Sequence, residues 1–427
     1  MKMVKKGILC MMVLAILCTA FSAFAESKPV ELSFMSQGGK SNEKYIEILN
    51  EYIEEFNATN DFNVVVKSEF YENEQYKTKI ATLMASNSQP DIFFTWEAGF
   101  MKPFVEGGKI YPIGEALDKD AEWKDRFVDG FFPLVTFDEK VYAVPNIINY
   151  CVMFYNKQIF EANNVEVPTT YEELLAVCET LVANGVVPIA FGTKDAWLSG
   201  QYLQALSNGV GGMDLYGDIV SGAVRWDDPR YVEAGGNVQK LLDLNAFAPG
   251  YLGRSNDETI EAFNAGEAAM FYSMASNLAR MSDPANPVAE HLDFFLFPTP
   301  GNAQSPEVVV GSISQVYAIS AKSKNIDASV AFLKGLSDKA IQERVCYEWS
   351  NMPATNIDID ASKLNPVFAK LVQQKDSLAG LTPWFDRVFG AGLGVEFNNA
   401  SLAIMSGEDV QGQLEALEQF AIDNAAR

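Results

Sequence analysis

The chain of 427 residues is predicted to form an α/β protein with two lobes. Segments typical of strands alternate with amphipathic helices along most of the sequence. The strand segments are apolar on both faces, which indicates a largely parallel sheet covered by helices on both sides. The pattern restarts near Val141, and the chain is much longer than the ~150 residues typical of one domain.

The first half of the chain gives the clearest alternation of elements. The predicted elements are a strand at 31–35, a loop at 36–39, a helix from Ser41 to Phe56, a strand at 62–70, a helix over Tyr76–Met84 and a short apolar strand at 91–96. Both helices carry their apolar residues at three- and four-residue spacing, which places them on one face. Pro90 separates the second helix from the strand that follows.

The second half predicts further strands among longer helical stretches. The elements are strands at 141–145 and 151–156, a helix at 171–183, a strand at 186–192, a mostly helical stretch to Asn264, strands at 268–273 and 315–320, and helices after Ile326. Thr170 and Glu173 form a capping box at the start of the 171–183 helix. No repeat or Pro-rich linker divides the chain, so several short crossings are expected to join the lobes.

The first 25 residues have the pattern of an export signal. Three lysines precede an apolar run from Gly7 to Phe24, and Ala23-Phe24-Ala25 forms a small-x-small cleavage site. Cleavage after Ala25 and delivery to the periplasm are therefore expected. Two alternatives remain open: an uncleaved membrane anchor, and lipid modification at Cys18, where the preceding Leu17 is bulkier than such sites normally have.

The composition excludes several functions. Without the signal, 29 basic residues face 56 acidic ones, a balance of −27 that argues against nucleic-acid binding. The single histidine, His291, excludes an HExxH zinc site, and no GxSxG or GxxxxGK motif occurs. Cys151, Cys178 and Cys346 form no CxxC pair and lie among apolar residues, which predicts buried free thiols. The sequence therefore predicts no catalytic residues, no metal site and no cofactor.

Aromatic, carboxylate and amide side chains follow several predicted strands or lie in loops. They are Trp96 with Glu97, Asn149, Trp197, and Trp384 with Asp386. In open α/β sheets, ligands bind beyond the carboxyl ends of the strands. Flat rings stack on sugar faces and carboxylates or amides bind hydroxyls, so the combination suits a neutral polyol. The alternative is that each Trp is a core or surface aromatic.

Three segments carry a resemblance to a known family. They are PDIFFTWEAGFMKPFVEGGKIYPI at 90–113, VYAVPNIINYCVMFYNKQIFEANNV at 141–165 and FNAGEAAM at 263–270. With a weaker match at 406–423, they resemble the family 1 extracellular solute-binding proteins of ABC importers, the group that contains maltose-binding protein. The resemblance covers essentially the whole mature chain.

The resemblance implies the two-lobed periplasmic-binding-protein fold, type II-like, with ligand held in the cleft. It implies a first lobe of 26–144 plus 272–318 and a second lobe of 145–271 plus 319–427. The crossings would then lie near Pro145, Phe271 and Ile319. The implied function is capture of a carbohydrate, a di- or oligosaccharide, for delivery to the membrane permease by a monomeric receptor.

Site residues follow from the resemblance position by position. The candidate ligand-binding residues are Ser36, Gln37, Trp96, Glu97, Asn149, Trp197, Met274, Ser276, Ser312, Trp384 and Asp386. Met274 and Ser276 occupy the segment where the family commonly has Gly-x-Trp, and this departure argues against a close copy of the maltodextrin site.

Two other functions stay open. One is a secreted glycoside hydrolase working with paired carboxylates, whose separation no sequence reveals. The other is a receptor for an anionic solute such as glycerol 3-phosphate, which would require arginine in the cleft. The candidate cleft segments are poor in arginine, with Arg387 as the exception, so a neutral sugar is favoured.

Overall fold

The computed structural model describes residues 28–300 and 307–424. The strands in these ranges are β1 (Val30–Gln37), β2 (Val64–Tyr71), β3 (Ile92–Thr95), β4 (Thr136–Phe137), β5 (Lys140–Val141), β6 (Ala143–Asn156), β7 (Val187–Ala190), β8 (Ala268–Met274), β9 (Leu292–Phe295), β10 (Val308–Ile319), β11 (Met352–Pro353) and β12 (Gly380–Thr382). The predicted export signal lies outside the described residues.

The helices of the described ranges lie between and after these strands along the chain. They are α1 (Glu43–Thr59), α2 (Asn73–Ala85), α3 (Lys102–Glu106), α4 (Gly114–Lys119), α5 (Ala121–Lys124), α6 (Lys157–Ala162), α7 (Tyr171–Ala183), α8 (Trp197–Ser221), α9 (Pro229–Asp243), α10 (Asn256–Asn264), α11 (Leu278–Met281), α12 (Ile326–Leu336), α13 (Lys339–Tyr347), α14 (Pro366–Lys375), α15 (Phe385–Val388), α16 (Leu393–Met405) and α17 (Val410–Asp423). The predicted capping box at Thr170 and Glu173 is present.

One continuous sheet runs through the molecule in the order β2-β1-β3-β10-β6-β8-β7, with β9 and β11 also paired to β6 and β12 to β10. Pairs β1–β2, β1–β3, β7–β8 and β10–β12 are parallel, whereas β10 and β6 pair antiparallel with each other. The prediction of a largely parallel sheet is therefore wrong. The sheet is mixed because β6 and β10 are long strands that run in opposite directions through its centre.

The two central strands carry the chain from one hydrophobic core to another. On β6, Ile147 belongs to the hydrophobic core that contains residues of β1–β3. The next residue, Ile148, belongs to a different core, which contains residues of β8. On β10, Val310 belongs to a second-lobe core and Ile313 belongs to the core shared with β1–β3, so this strand passes from one core to the other between them. The β6 pairing register shifts near Gln315, so an irregular pairing lies close to this crossing.

The packing supports a division of the chain that differs from the predicted lobe boundaries. Helices α12 and α13 contribute buried side chains to the core that β1–β3 share, although the prediction places 319–427 in the second lobe. Strand β9 pairs with β6 at Met153–Asn156, although the prediction places it in the first lobe. We therefore propose a first lobe of 28–147 plus 313–349 and a second lobe of 148–310 plus 352–424.

Two further sequence expectations can be compared with the described residues. Cys151, Cys178 and Cys346 are buried and free, as predicted. In the part of the chain that the structure describes, no helix is long and apolar enough to cross a membrane.

Candidate functional site

The candidate site lies beyond the end of β3, where the paired strands β6 and β10 pass from one lobe to the other. Helix α15 approaches the same place. Glu97 follows β3, Asn149 lies on β6, and Ser312 on β10 is the register partner of Asn149. Trp384 and Arg387 come from the start and the middle of α15. We call the place where Glu97, Asn149, Ser276, Ser312, Trp384 and Arg387 meet the seam, because first-lobe and second-lobe residues face each other there.

Glu97 is the charged group at the centre of the seam. Its side chain is 0% exposed, and its Oε1 lies 3.4 Å from Nη1 of Arg387. Burial raises the pKa of Glu97 above its ordinary value, while the charge of Arg387 and the neighbouring Ser312 hydroxyl oppose that rise. The Ser312 hydroxyl lies near enough to the carboxylate to favour its ionised form, yet neither this hydroxyl nor the second carboxylate oxygen, Oε2, makes a hydrogen bond of normal geometry in the described structure. The seam therefore contains two polar atoms able to bind a ligand hydroxyl.

Arg387 connects three parts of the protein. Its guanidinium lies 4.0 Å from the centre of the Trp384 ring, a cation–π contact. It also donates from Nη1 to the carbonyl oxygen of Ile313 on β10, at 3.3 Å, besides the contact with Glu97. Local sequence patterns assign no role to Arg387, because its partner Glu97 is 290 residues away in the chain.

Aromatic rings hold α15 in position behind Arg387. Phe385 stacks on Tyr216 at 5.1 Å between centroids and meets Trp226 edge-on at 5.3 Å. The Trp384 indole N–H donates to Oε1 of Gln201 on α8 at 3.2 Å. Trp384 is therefore buried and oriented from the second lobe, with Arg387 on one face of its ring.

Asn149 and Ser276 form a closed pair. The Asn149 Nδ2 donates to the Ser276 hydroxyl at 2.7 Å, and its Oδ1 accepts from the Ser276 backbone N–H at 3.1 Å. Because both polar ends of the Asn149 side chain are occupied, it holds the turn after β8 against β6.

The Asn149 pair gives a stability prediction. Asn149→Ala leaves the Ser276 N–H without its acceptor and is expected to lower the free energy of unfolding by about 1–3 kcal/mol in urea titration. The exposed Asn399→Ala is the matched control and should change it by less than about 0.5 kcal/mol. An unchanged Asn149→Ala midpoint would show that the pair contributes nothing to stability.

Trp96 lies mainly within the first-lobe core. The ring is 5% exposed and meets Phe94 and Phe100 edge-on, each at 4.7 Å between centroids. Lys77 Nζ lies 5.7 Å from the ring centre. The interpretation as a core aromatic therefore fits most of its surface, and its predicted contact with ligand stays a prediction.

The other predicted residues lie at varied distances from this cluster. Ser36 is buried with its hydroxyl 3.0 Å from that of Tyr317, and Gln37 donates to Asn73 at 3.3 Å, both within the first lobe. Both belong to β1 and not to the predicted loop. In the second lobe, Trp197 has a buried indole N–H without a partner, Met274 is half-buried at the end of β8, and Asp386 accepts from Asn398 at 3.3 Å.

Two cavities of the described chain open elsewhere on the second lobe. One, of about 420 Å³, is lined by residues between Val165 and Thr180. The other, of about 670 Å³, is lined by residues of 182–188, 239–251 and 406–407. Neither cavity is lined by a predicted site residue. We therefore locate the candidate ligand site by the buried polar atoms of the seam that make no hydrogen bond.

Comparison with known proteins relates this geometry to a family. Residues 40–343 match the model of the bacterial extracellular solute-binding protein family. The chain is 28% identical over 197 residues to an uncharacterized ABC transporter extracellular-binding protein of Pyrococcus horikoshii, covering 45% of this chain and 44% of that one. It is 23% identical over 241 residues to the multiple sugar-binding protein of Streptococcus mutans, covering 54% and 55%. These matches therefore span about half the length of the curated relatives.

A solved structure matches over nearly its whole length. It comes from work on xylan utilization by the thermophilic bacterium Caldanaerobius polysaccharolyticus and is 29% identical, with a TM-score of 0.86, covering 91% of this chain and 99% of that one. The sequence resemblance is thus confirmed, and the fold is that of the two-lobed solute-binding proteins. From the family match over 40–343, the chain belongs to the bacterial extracellular solute-binding proteins.

Proposed function

We propose that the chain is the receptor of an ABC importer and captures a neutral carbohydrate, a di- or oligosaccharide, in the seam. The observation that carries the proposal is the Glu97 carboxylate, which is fully buried with Oε2 unpaired. A buried acceptor without a partner costs about 1–3 kcal/mol, and more when it is charged. A ligand hydroxyl at Oε2 would remove that cost.

The charge balance of the seam favours a neutral ligand. Arg387 is within 3.4 Å of Glu97, so its positive charge is largely offset by the carboxylate. A phosphate entering the seam would meet the Glu97 carboxylate beside the arginine and be repelled by it. The name of the Streptococcus mutans relative and the xylan context of the solved structure support a sugar.

Capture would proceed by closure of the lobes around the sugar. A ligand that contacts Glu97 from the first lobe and Trp384 from the second binds the closed form better than the open form. The closed population then rises with ligand concentration. The permease subunits would recognise this closed, loaded form through the outer faces of both lobes.

The export signal predicted at residues 1–25 indicates where the protein acts. We propose export with cleavage after Ala25, so that a monomeric protein beginning at Glu26 works in the periplasm. Intact-mass measurement of the protein recovered from the periplasm is expected to give that mass. The mass of the full chain or of a lipidated cysteine would support an anchored form instead.

A secreted glycoside hydrolase is the second candidate, favoured by one observation. A buried carboxyl group with a raised pKa is characteristic of general acids. The arginine beside Glu97 opposes that role, because it stabilises the ionised form that cannot donate a proton. The receptor function is therefore preferred, with no catalytic turnover of the sugar.

A thermal-shift panel tests the proposal. The purified protein is heated with xylo-, malto-, arabino- and chito-oligosaccharides and with glycerol 3-phosphate. A neutral oligosaccharide at a hundred times its Kd is expected to add about 2.7 kcal/mol of stability and to raise Tm by a few degrees. A shift with glycerol 3-phosphate alone would contradict the proposal and support an anion receptor.

A further inference from the structure

The loop after β3 and the segment after α15 touch through their backbones. A Cβ atom added to Gly99 would lie closer than 3.0 Å to the Val388 carbonyl oxygen and the Gly390 nitrogen. A Cβ on Gly390 would in turn come closer than 3.0 Å to the carbonyl oxygen of Gly99. Neither position has room for any side chain, so this contact requires glycine on both sides.

The backbone is strained at this contact. Ala98 has φ of 54°, in the left-handed region that non-glycine residues seldom occupy, whereas Gly390, with φ of 71°, adopts this region without strain. Strain of this kind persists only where surrounding contacts impose it and concentrates at functional sites. Local sequence patterns do not predict this contact, because the two glycines are almost 300 residues apart in the chain.

The contact joins the two lobes. Trp96 and Met101, which flank the first segment, belong to the first-lobe core. Phe385, which precedes the second segment, belongs to the second-lobe core, and Phe389 within that segment packs against the same core. The ion pair of Glu97 with Arg387 lies directly beside the glycine contact.

We propose that residues 97–99 and 387–390 form a closure latch, with Arg387 as the positioning residue that orients Glu97 in the closed form. The inference rests on the proposed function and deepens it. Arg387 is held by the Trp384 ring of its own lobe, whereas the Ile313 carbonyl and Glu97, which it also contacts, belong to the first lobe. It is therefore in place to receive Glu97 when the lobes meet.

The latch makes the hydrogen-bonding capacity of the seam depend on closure. With the lobes apart, the Glu97 carboxylate is hydrated and both of its oxygens are satisfied by water. With the lobes together, Oε1 faces Arg387 and Oε2 has no protein partner. A ligand hydroxyl at Oε2 then stabilises the closed form selectively, which is what couples binding to closure.

Pulsed electron spin resonance between labels on the two lobes tests the latch. Cysteines replace the exposed Lys102 on α3 and Val395 on α16, while the three native cysteines are buried. The distance distribution is measured without ligand and with millimolar xylohexaose. We expect wild type to show a short-distance population in at least one condition, and Gly99→Ala to reduce it by about twofold or more because the added Cβ holds the segments apart.

Matched variants separate the latch from general damage to the fold. Gly253→Ala is the control, since a Cβ there meets nothing within 4 Å, and it should keep the wild-type distribution. Arg387→Gln should also reduce the short-distance population, and Arg387→Lys, which keeps the charge, should partly restore it.

The outcomes distinguish the latch from the proposed function. If wild type lacks the short distance in both conditions, or if Gly99→Ala matches wild type, the latch is overturned. Equal populations in Arg387→Gln and wild type would overturn the positioning role of Arg387. Failure of xylohexaose to enrich the short distance, with the variant differences intact, counts against the proposed ligand and leaves the latch standing.

Discussion

Replacing Glu97 with alanine is expected to weaken binding of the transported sugar about a hundredfold. A hydrogen bond to a charged group contributes about 1.5–3 kcal/mol, and tenfold in affinity corresponds to about 1.4 kcal/mol. The substitution also leaves the guanidinium of Arg387, which is 13% exposed, without its carboxylate partner. Isothermal titration calorimetry with the oligosaccharide selected by the thermal-shift panel measures the change.

Glu106→Ala is the matched control for this prediction. Glu106 is exposed on α3 and contacts only the exposed Lys102, at 3.8 Å, among the ion pairs of the described residues. Its affinity should equal that of wild type. A Glu97→Ala protein that binds as tightly as wild type would remove Glu97 from the site.

The raised pKa of Glu97 adds a dependence on pH. A carboxylate accepts a ligand hydroxyl in its ionised form, and burial makes Glu97 protonate at a higher pH than an exposed glutamate. Affinity should therefore fall as the pH drops through that raised pKa. Glu97→Gln binds more weakly and should lose this dependence, so parallel pH profiles of the two proteins would contradict the assignment.

Replacing Trp96 with alanine is expected to destabilise the first lobe by about 3–5 kcal/mol. The substitution opens a cavity among Tyr76, Phe94 and Phe100, whose rings meet the indole edge-on. Urea unfolding followed by circular dichroism measures the loss. Trp96→Phe keeps a ring at the position and should lose less than half as much.

The same substitution revises an expectation from the sequence. From the sequence alone, Trp96 is expected to stack on the sugar, so that its replacement weakens binding tenfold or more and leaves the fold intact. The tenfold loss of affinity stays a prediction, to be measured by calorimetry below the unfolding midpoint. The intact fold is no longer expected, because the ring packs against the first-lobe core. Wild-type stability of Trp96→Ala would contradict the packing account.

Local patterns predicted the elements well. The helix over 171–183 with its capping box, the apolar strand near 91–96 and the amphipathic C-terminal helix depend on neighbours in sequence, and each is present. Strand direction depends on distant partners, so the predicted parallel sheet is mixed. The segments 141–145 and 151–156 read as two strands because polar Asn146 and Asn149 interrupt the apolar run. Buried partners satisfy both amides, and the strand continues through them.

For the candidate site, the sequence predicts only the residues at positions that match the family motifs. Glu97, Ser312 and Trp384 are all predicted site residues, and the structure brings them together in the seam. The roles of Arg387 and of the glycine contact could not be predicted, because each depends on a partner almost 300 residues away in the chain. Ser36 is predicted as a site residue because it follows the first predicted strand. In the structure its hydroxyl is hydrogen-bonded to the Tyr317 hydroxyl within the core.

The central claim is that the seam binds a neutral oligosaccharide and releases it unchanged. Calorimetric titration of the purified protein with the best sugar of the panel, followed by chromatography of the same sample, tests it most directly. We predict saturable binding of one sugar per protein and recovery of the sugar intact. Absence of saturable binding to any neutral oligosaccharide, or the appearance of shorter sugars in the recovered sample, would contradict the claim.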